Sequence, residues 1–346
     1  MLRGVTSRPH DALFKAAFGS AEGAAGLLRA VLPTELVAAI EWSTLVVEGA
    51  SFIDEDLADL YSGVLFSARL RGTSSVKIYV LVEHQSANHP SMPLRMLGYL
   101  VRVWERFLGQ QQRPVPLPAI VPVLISHVPG GWTAPTAFDA MFAPDPVTIG
   151  AAPFVPRFEL CVLDLAHRTD EEIRTWTLGT FQKLALAMLR DARDHTRLPE
   201  TLAAWGDHLH DLHEVALRAP TGMRAFAQLL RYIWRVTGHV RFRAFRDTLL
   251  QQLPAARETV MTIYEEIVNE GRKEGRQEGR KEGLEESVRK LMTLKFGPLD
   301  PVLDARIGSA SAEDLDRFLS RILTADSPAA VVDSEGDSSP TQDRTA

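Results

Sequence analysis

The chain has 346 residues, of which 45% are hydrophobic and 24% charged, with a net charge of −6 and one cysteine, Cys161. Such a length predicts a core domain with helical additions rather than one ordinary globule, and the composition excludes collagen-like and wholly disordered chains. A single cysteine excludes an intrachain disulfide, and the acidic balance excludes a globally basic nucleic-acid binder, so any phosphate contact must come from local basic patches.

From the N-terminus, MLRGVTSRPHD lacks the apolar stretch of a secretory signal, which together with the lone cysteine predicts a cytoplasmic protein. His10 to Leu32 reads as helix, with Leu13, Phe14, Ala17 and Phe18 on one side and a break at Gly19 to Gly23. Residues 34–43, TELVAAIEWS, repeat the helical pattern with Thr34 as N-cap.

The period then changes. VLFSARL at 64–70, IYVLVEH at 78–84, AIVPVLISHV at 119–128 and FELCVLDL at 158–165 are β-branched and aromatic runs bounded by turn residues, and they predict a four-stranded buried sheet. A five-residue link, RGTSS at 71–75, suits an antiparallel hairpin between the first two strands. PLRMLGYLVRVWERFL at 93–108 reads as a crossover helix with Leu94, Leu97, Val101 and Leu108 turned inward. None of the apolar runs approaches the ~20 residues of a membrane span.

From 170 onward the pattern is helical. Residues 170–255 are expected to form a helical subdomain, and 256–325 a charged glycine-repeat helix with terminal helices, one of them at 311–323. Residues 326–346 carry few large apolar side chains and read as a disordered tail. In EGRKEGRQEGRKEG the glycines at 271, 275, 279 and 283 form a small-residue stripe, which reads either as a self-association segment or as a charged spacer. The intervening charges exclude a membrane GxxxG dimer.

The residues that carry chemistry lie in VLVEHQS at 80–86. Strand alternation puts Glu83 and Gln85 on one face and His84 on the other. A carboxylate closing a strand of Val and Leu needs a cation or a donor unless it marks the wet end of that strand. His84, His89 and His127 do not show zinc spacing, and there is neither a P-loop nor a GxGxxG fingerprint. On the crossover helix Arg95, Tyr99, Arg102 and Arg106 share a stripe, which reads either as a phosphate-binding surface or as solvated arginines.

PHDALFKAAF, SFIDEDLADLYSGVLFSARL, IYVLVEHQS, PLRMLGYLVRVWERFL and IVPVLISHVPGGWTAPTAF, in that order over about residues 9–165, resemble the Rpn family of recombination-promoting nucleases and putative transposases. GRKEGRQEGRKEG followed by LMTLKFGPL resembles the C-terminal part of many relatives. The resemblance implies a PD-(D/E)XK nuclease-like domain over 1–169, an α/β fold with a mixed sheet flanked by helices and a helical C-terminal region after it. It also implies a Mg2+-dependent DNA endonuclease, with Glu83 as metal ligand and Gln85 in place of the usual lysine, able to orient water or phosphate but not to supply charge. Asp11 and Asp164 fall where the family carries supporting acidic residues, although a helix-dipole charge and a structural cap are the plain alternatives.

The chain departs from that family where relatives carry an Asp just before the first core strand: it reads Tyr61-Ser62-Gly63-Val64-Leu65-Phe66, and Gly63 offers no side-chain ligand. Asp59 is the candidate substitute, but an extended segment puts its Cα about 13 Å from that of Gly63. Three expectations follow: an endonuclease weakened at Gly63, a catalytically inactive DNA-binding module, or a helical interaction scaffold that self-associates through 256–296.

Overall fold

A computed structural model describes residues 9–49, 63–72, 77–113 and 115–332. Contacts divide the chain into two compact units, Ser7–Ile263 and the residues from Tyr264 onward. The first unit holds both the sheet and the helices from Asp170 to Gln252.

In the first unit α1 (Pro9–Phe18) and α2 (Ala21–Val31) are separated by a short break, and Ser20 caps α2 by accepting from Gly23 N. Gly26 lets α2 run against the backbone of Thr177, where a Cβ would lie 2.0 Å from the carbonyl oxygen. The helix expected over 34–43 is cut short. α3 covers Thr34–Ala39, and β1 follows at Ile40–Val47, paired antiparallel with β2 (Val64–Leu70). Pairing and the burial of Ile40 and Leu45 override a local pattern that fits both periods.

β3 (Lys77–Gln85) pairs antiparallel with β2, as the hairpin link predicts. α4 (Met92–Gly109) then crosses over, and β4 (Ala119–Ser126) and β5 (Cys161–Asp164) lie parallel to β3. Among the described residues the sheet has five strands in the order β1-β2-β3-β4-β5, so the α/β expectation holds with one strand more than the sequence suggested.

α4 is rotated from its expected orientation. Its inward residues are Met92, Met96, Tyr99, Leu100 and Val103, packed on Leu65, Leu81 and Leu124, whereas Leu94, Val101 and Leu108 are exposed. The helix carries two apolar stripes, and the inward one flanks Arg95, which reaches a buried acid on β3.

α1 lies on the other sheet face, with Phe14 on His84, and of the helices that follow β5, α5 (Asp170–Thr175), α6 (Thr180–Asp191), α7 (Arg197–Ala204), α8 (Gly206–Arg218) and α9 (Pro220–Gln252), α6 and α9 pack against α1. α9 is two helices joined at Gly238, whose φ of 74° and ψ of 166° are non-helical.

α10 (Arg257–Phe296) leads into the second unit, where Val288 and Met292 form a core with residues of α11 (Pro301–Ser309), α12 (Ala312–Ile322) and α13 (Pro328–Val332). Asp300 caps α11, and Ser311 with Asp314 makes a capping box on α12. Lys295 Nζ donates to the carbonyls of Ile322, Leu323 and Ala325, closing the C-terminal end of α12. Residues 328–332, read as the start of a disordered tail, are helical instead, because Val331 and Val332 are buried in this core; 333–346 lie outside the described residues. Among the described residues no helix is long and apolar enough to cross a membrane.

Candidate active site

Glu83 and Gln85 project from β3 toward α4, while His84 projects toward α1. Glu83 is fully buried. Its Oε1 accepts from Gln85 Nε2 at 2.9 Å and from Arg95 Nη2 at 2.6 Å. The Arg95 guanidinium also lies 5.8 Å from the centroid of the Tyr99 ring, which gives it a cation–π contact on the same helix. This acid, amide and cation were each singled out from the sequence, and the fold brings them together.

Gly63 lies one register step beyond the Val64–Val82 pair, which places it opposite Glu83 on the α4 side of the sheet. No side-chain ligand comes from it. Asp59, with Asp54, Glu55 and Asp56, lies outside the described residues. Glu48 accepts from Ser67 Oγ, and Ser67 stands opposite Tyr79 rather than Glu83.

The expected arginine stripe divides. Arg95 is turned inward to Glu83, Arg106 is half-buried, and Arg102 is exposed and paired with Glu105 at 3.3 Å. Asp164 spends its carboxylate as a cap, accepting from Trp132 N at 2.7 Å and His167 Nδ1 at 2.9 Å. Its place is the end of β5, two strands from β3.

Asp11 is on the opposite face from Glu83, between Lys15 Nζ at 3.0 Å and His84 Nε2 at 3.3 Å. Burial pushes its carboxyl up, but the hydrogen bonds from His84 and Lys15 overcome this and hold it below the usual carboxylate value. It therefore does not share a ligand position with Glu83.

Three histidines that the sequence left scattered meet on this face. His10 and His127 rings are 4.8 Å apart, His84 and His127 6.0 Å, and Phe14 stacks on His84 at 4.8 Å. Burial, then the Arg193 charge and His84, lowers His10 to about 4. Burial, then His10, His84 and Arg193, holds His127 well below the ordinary histidine value. Both are neutral imidazoles at neutral pH. Arg193 crosses the ends of β3 and β4, donating to the carbonyls of Ser86 and His127.

Mg2+ prefers near-octahedral oxygen coordination and commonly takes one or two carboxylates. Among the described residues no group of three His, Cys, Asp or Glu is placed to hold a metal ion. At the β3 centre the Glu83 carboxylate already carries a guanidinium and an amide on Oε1. The described donor set does not fit a resident divalent cation.

With this geometry, the comparisons are specific. Residues 8–218 match the family model described as "Putative transposase, YhgA-like". The chain is 28% identical to recombination-promoting nuclease RpnD of Escherichia coli O157:H7 over 265 residues, 77% of this chain and 96% of that protein. It is 28% identical to recombination-promoting nuclease RpnA of Escherichia coli strain K12 over 78% of this chain and 86% of that protein. It is also 29% identical to the inactive recombination-promoting nuclease-like protein RpnE of the same strain, over 79% and 86% of the two chains. No solved structure matches the chain.

Proposed function

The chain belongs to the YhgA-like putative transposase family, with recombination-promoting nucleases among its relatives, and we propose that it acts on DNA through the β3 centre as an endonuclease weakened at Gly63. The observation that carries this reading is the fully buried Glu83 with Gln85 and Arg95 on its carboxylate, while Gly63 opposite it supplies no second carboxylate.

Hydrolysing a phosphodiester requires both neutralising the phosphate and activating a water. Gln85 can orient a water or a phosphate oxygen but cannot take a proton from it. Glu83 Oε1 already accepts from Arg95 and Gln85, so it is not free to face an attacking water. Arg102, whose pair with Glu105 is solvent-exposed, can supply positive charge to a phosphate, so binding survives the loss of the second carboxylate better than cleavage does.

The Glu83–Arg95 pair favours a second reading, an inactive DNA-binding module that keeps the fold, and one relative carries "inactive" in its name. A Mg2+-dependent nicking assay on the purified chain separates the two readings. Salt titration of DNA affinity then separates either from a pure interaction scaffold, since each phosphate contact contributes about −0.9 to the slope of log K against log salt. DNA is the proposed partner, and the single half-buried Cys161 suits the reducing cytoplasm proposed as its location. A second copy, meeting along the glycine-repeat stretch of α10, is the other proposed partner.

A further inference from the structure

A carboxylate removed from water needs a counter-charge, because the cost of burying it alone is several kcal/mol. In a metal-dependent hydrolase a divalent cation commonly provides it. Glu83 meets Arg95 instead, at 2.6 Å. The local sequence enforces this: Arg95 stands between Met92, Met96 and Tyr99, all buried against the sheet, so the stripe that anchors α4 also delivers the guanidinium to β3. The Arg95 side chain keeps 27% of its surface exposed, and Glu83 keeps none. Arg95 thus separates the acid from whatever approaches the centre.

We infer that Arg95 is the resident counter-ion of Glu83, occupying the role of a divalent cation and closing the centre to Mg2+ until the guanidinium is removed. This rests on Glu83 being the centre named above. Its test uses no DNA, so its failure and that of the DNA reading are separately visible.

Thermal melting of the full chain, purified in EDTA, is followed against MgCl2 at constant ionic strength for the wild type, Arg95→Gln and the double variant Glu83→Gln/Arg95→Gln. The wild-type melting temperature should not respond to Mg2+. Arg95→Gln should melt lower in EDTA and recover saturably with Mg2+, by about 3 °C at roughly tenfold excess over the dissociation constant. The double variant, with no buried charge, should not respond. Should Arg95→Gln fail to fold in EDTA, folding rescued by Mg2+, or a folded double variant, supports the inference, and failure of both overturns it. It is equally overturned by a wild type that responds to Mg2+ as steeply as Arg95→Gln, or by an Arg95→Gln protein as stable as the wild type and indifferent to Mg2+.

Discussion

Arg190 donates to Asp191 Oδ2 from both Nε and Nη2, at 2.9 and 2.6 Å, and Asp191 is fully buried. The same arginine reaches Asp170 on α5 and the Arg168 carbonyl, while Asp191 accepts from Thr201 on α7. One ion pair thus ties α5, α6 and α7 together. Asp191→Ala leaves a buried guanidinium with only part of its partners and should lower stability by about 3 kcal/mol. Urea unfolding measures it. A loss under about 1 kcal/mol would mean that the network is dispensable.

The histidine cluster predicts acid sensitivity in a defined window. His10 titrates at about 4 in the folded chain against 6.5 for a free side chain, so between those values the unfolded chain binds a proton that the folded chain does not. Stability is therefore fully present above about pH 6.5 and falls as pH drops toward 4, and His127 adds in the same direction. Asp11, held below the carboxylate value of 3.8, loses its contribution only at lower pH. Urea midpoints across this range should decline in the wild type and decline less in His10→Gln. Constant wild-type midpoints down to pH 4.5 would contradict a neutral His10 and His127 in the folded chain.

Gly275 and Gly279 lie mid-helix in α10, and a Cβ added at either meets no atom within 4 Å. Packing in the single chain gives no reason for glycine there. Alanine at each should stabilise the helix by about 1 kcal/mol. If the stripe is a contact between copies, Gly275→Glu with Gly279→Glu should lower the sedimenting mass of the full chain. A wild type already monomeric at micromolar concentration would leave the stretch as a spacer.

How far these features could be read beforehand follows from distance and period. β2 to β5 were legible because each is a β-branched run closed by Gly, Pro or polar residues. β1 was not, since the apolar positions from Leu36 to Leu45 satisfy a helical period until pairing with β2 decides otherwise. α4 was legible as a helix but not in its rotation: an arginine stripe reads as solvent-facing unless a buried acid is known to await it. Glu83 and Gln85 were legible because alternation alone puts them on one face. The histidine cluster was not, because His10, His84 and His127 come from three elements that only tertiary packing joins.

With Gly63 opposite Glu83 and Arg95 on the Glu83 carboxylate, wild-type Mg2+-dependent nicking should be weak or undetectable, because a guanidinium already holds Glu83 and no second carboxylate helps a cation displace it. Gly63→Asp adds a carboxylate at the strand start on the same side of the sheet, and it should create or raise the activity. The rise should be larger when Arg95→Gln is also present, because the guanidinium no longer competes for Glu83. Glu83→Ala should abolish cleavage in either background, by a factor of about 10² or more if its charge stabilises the transition state. Robust wild-type cleavage lost in Asp59→Ala would show instead that Asp59 supplies the second carboxylate. No cleavage from Gly63→Asp, alone or with Arg95→Gln, together with retained salt-dependent DNA binding, would identify a binding module whose loss of hydrolysis does not come from position 63 alone.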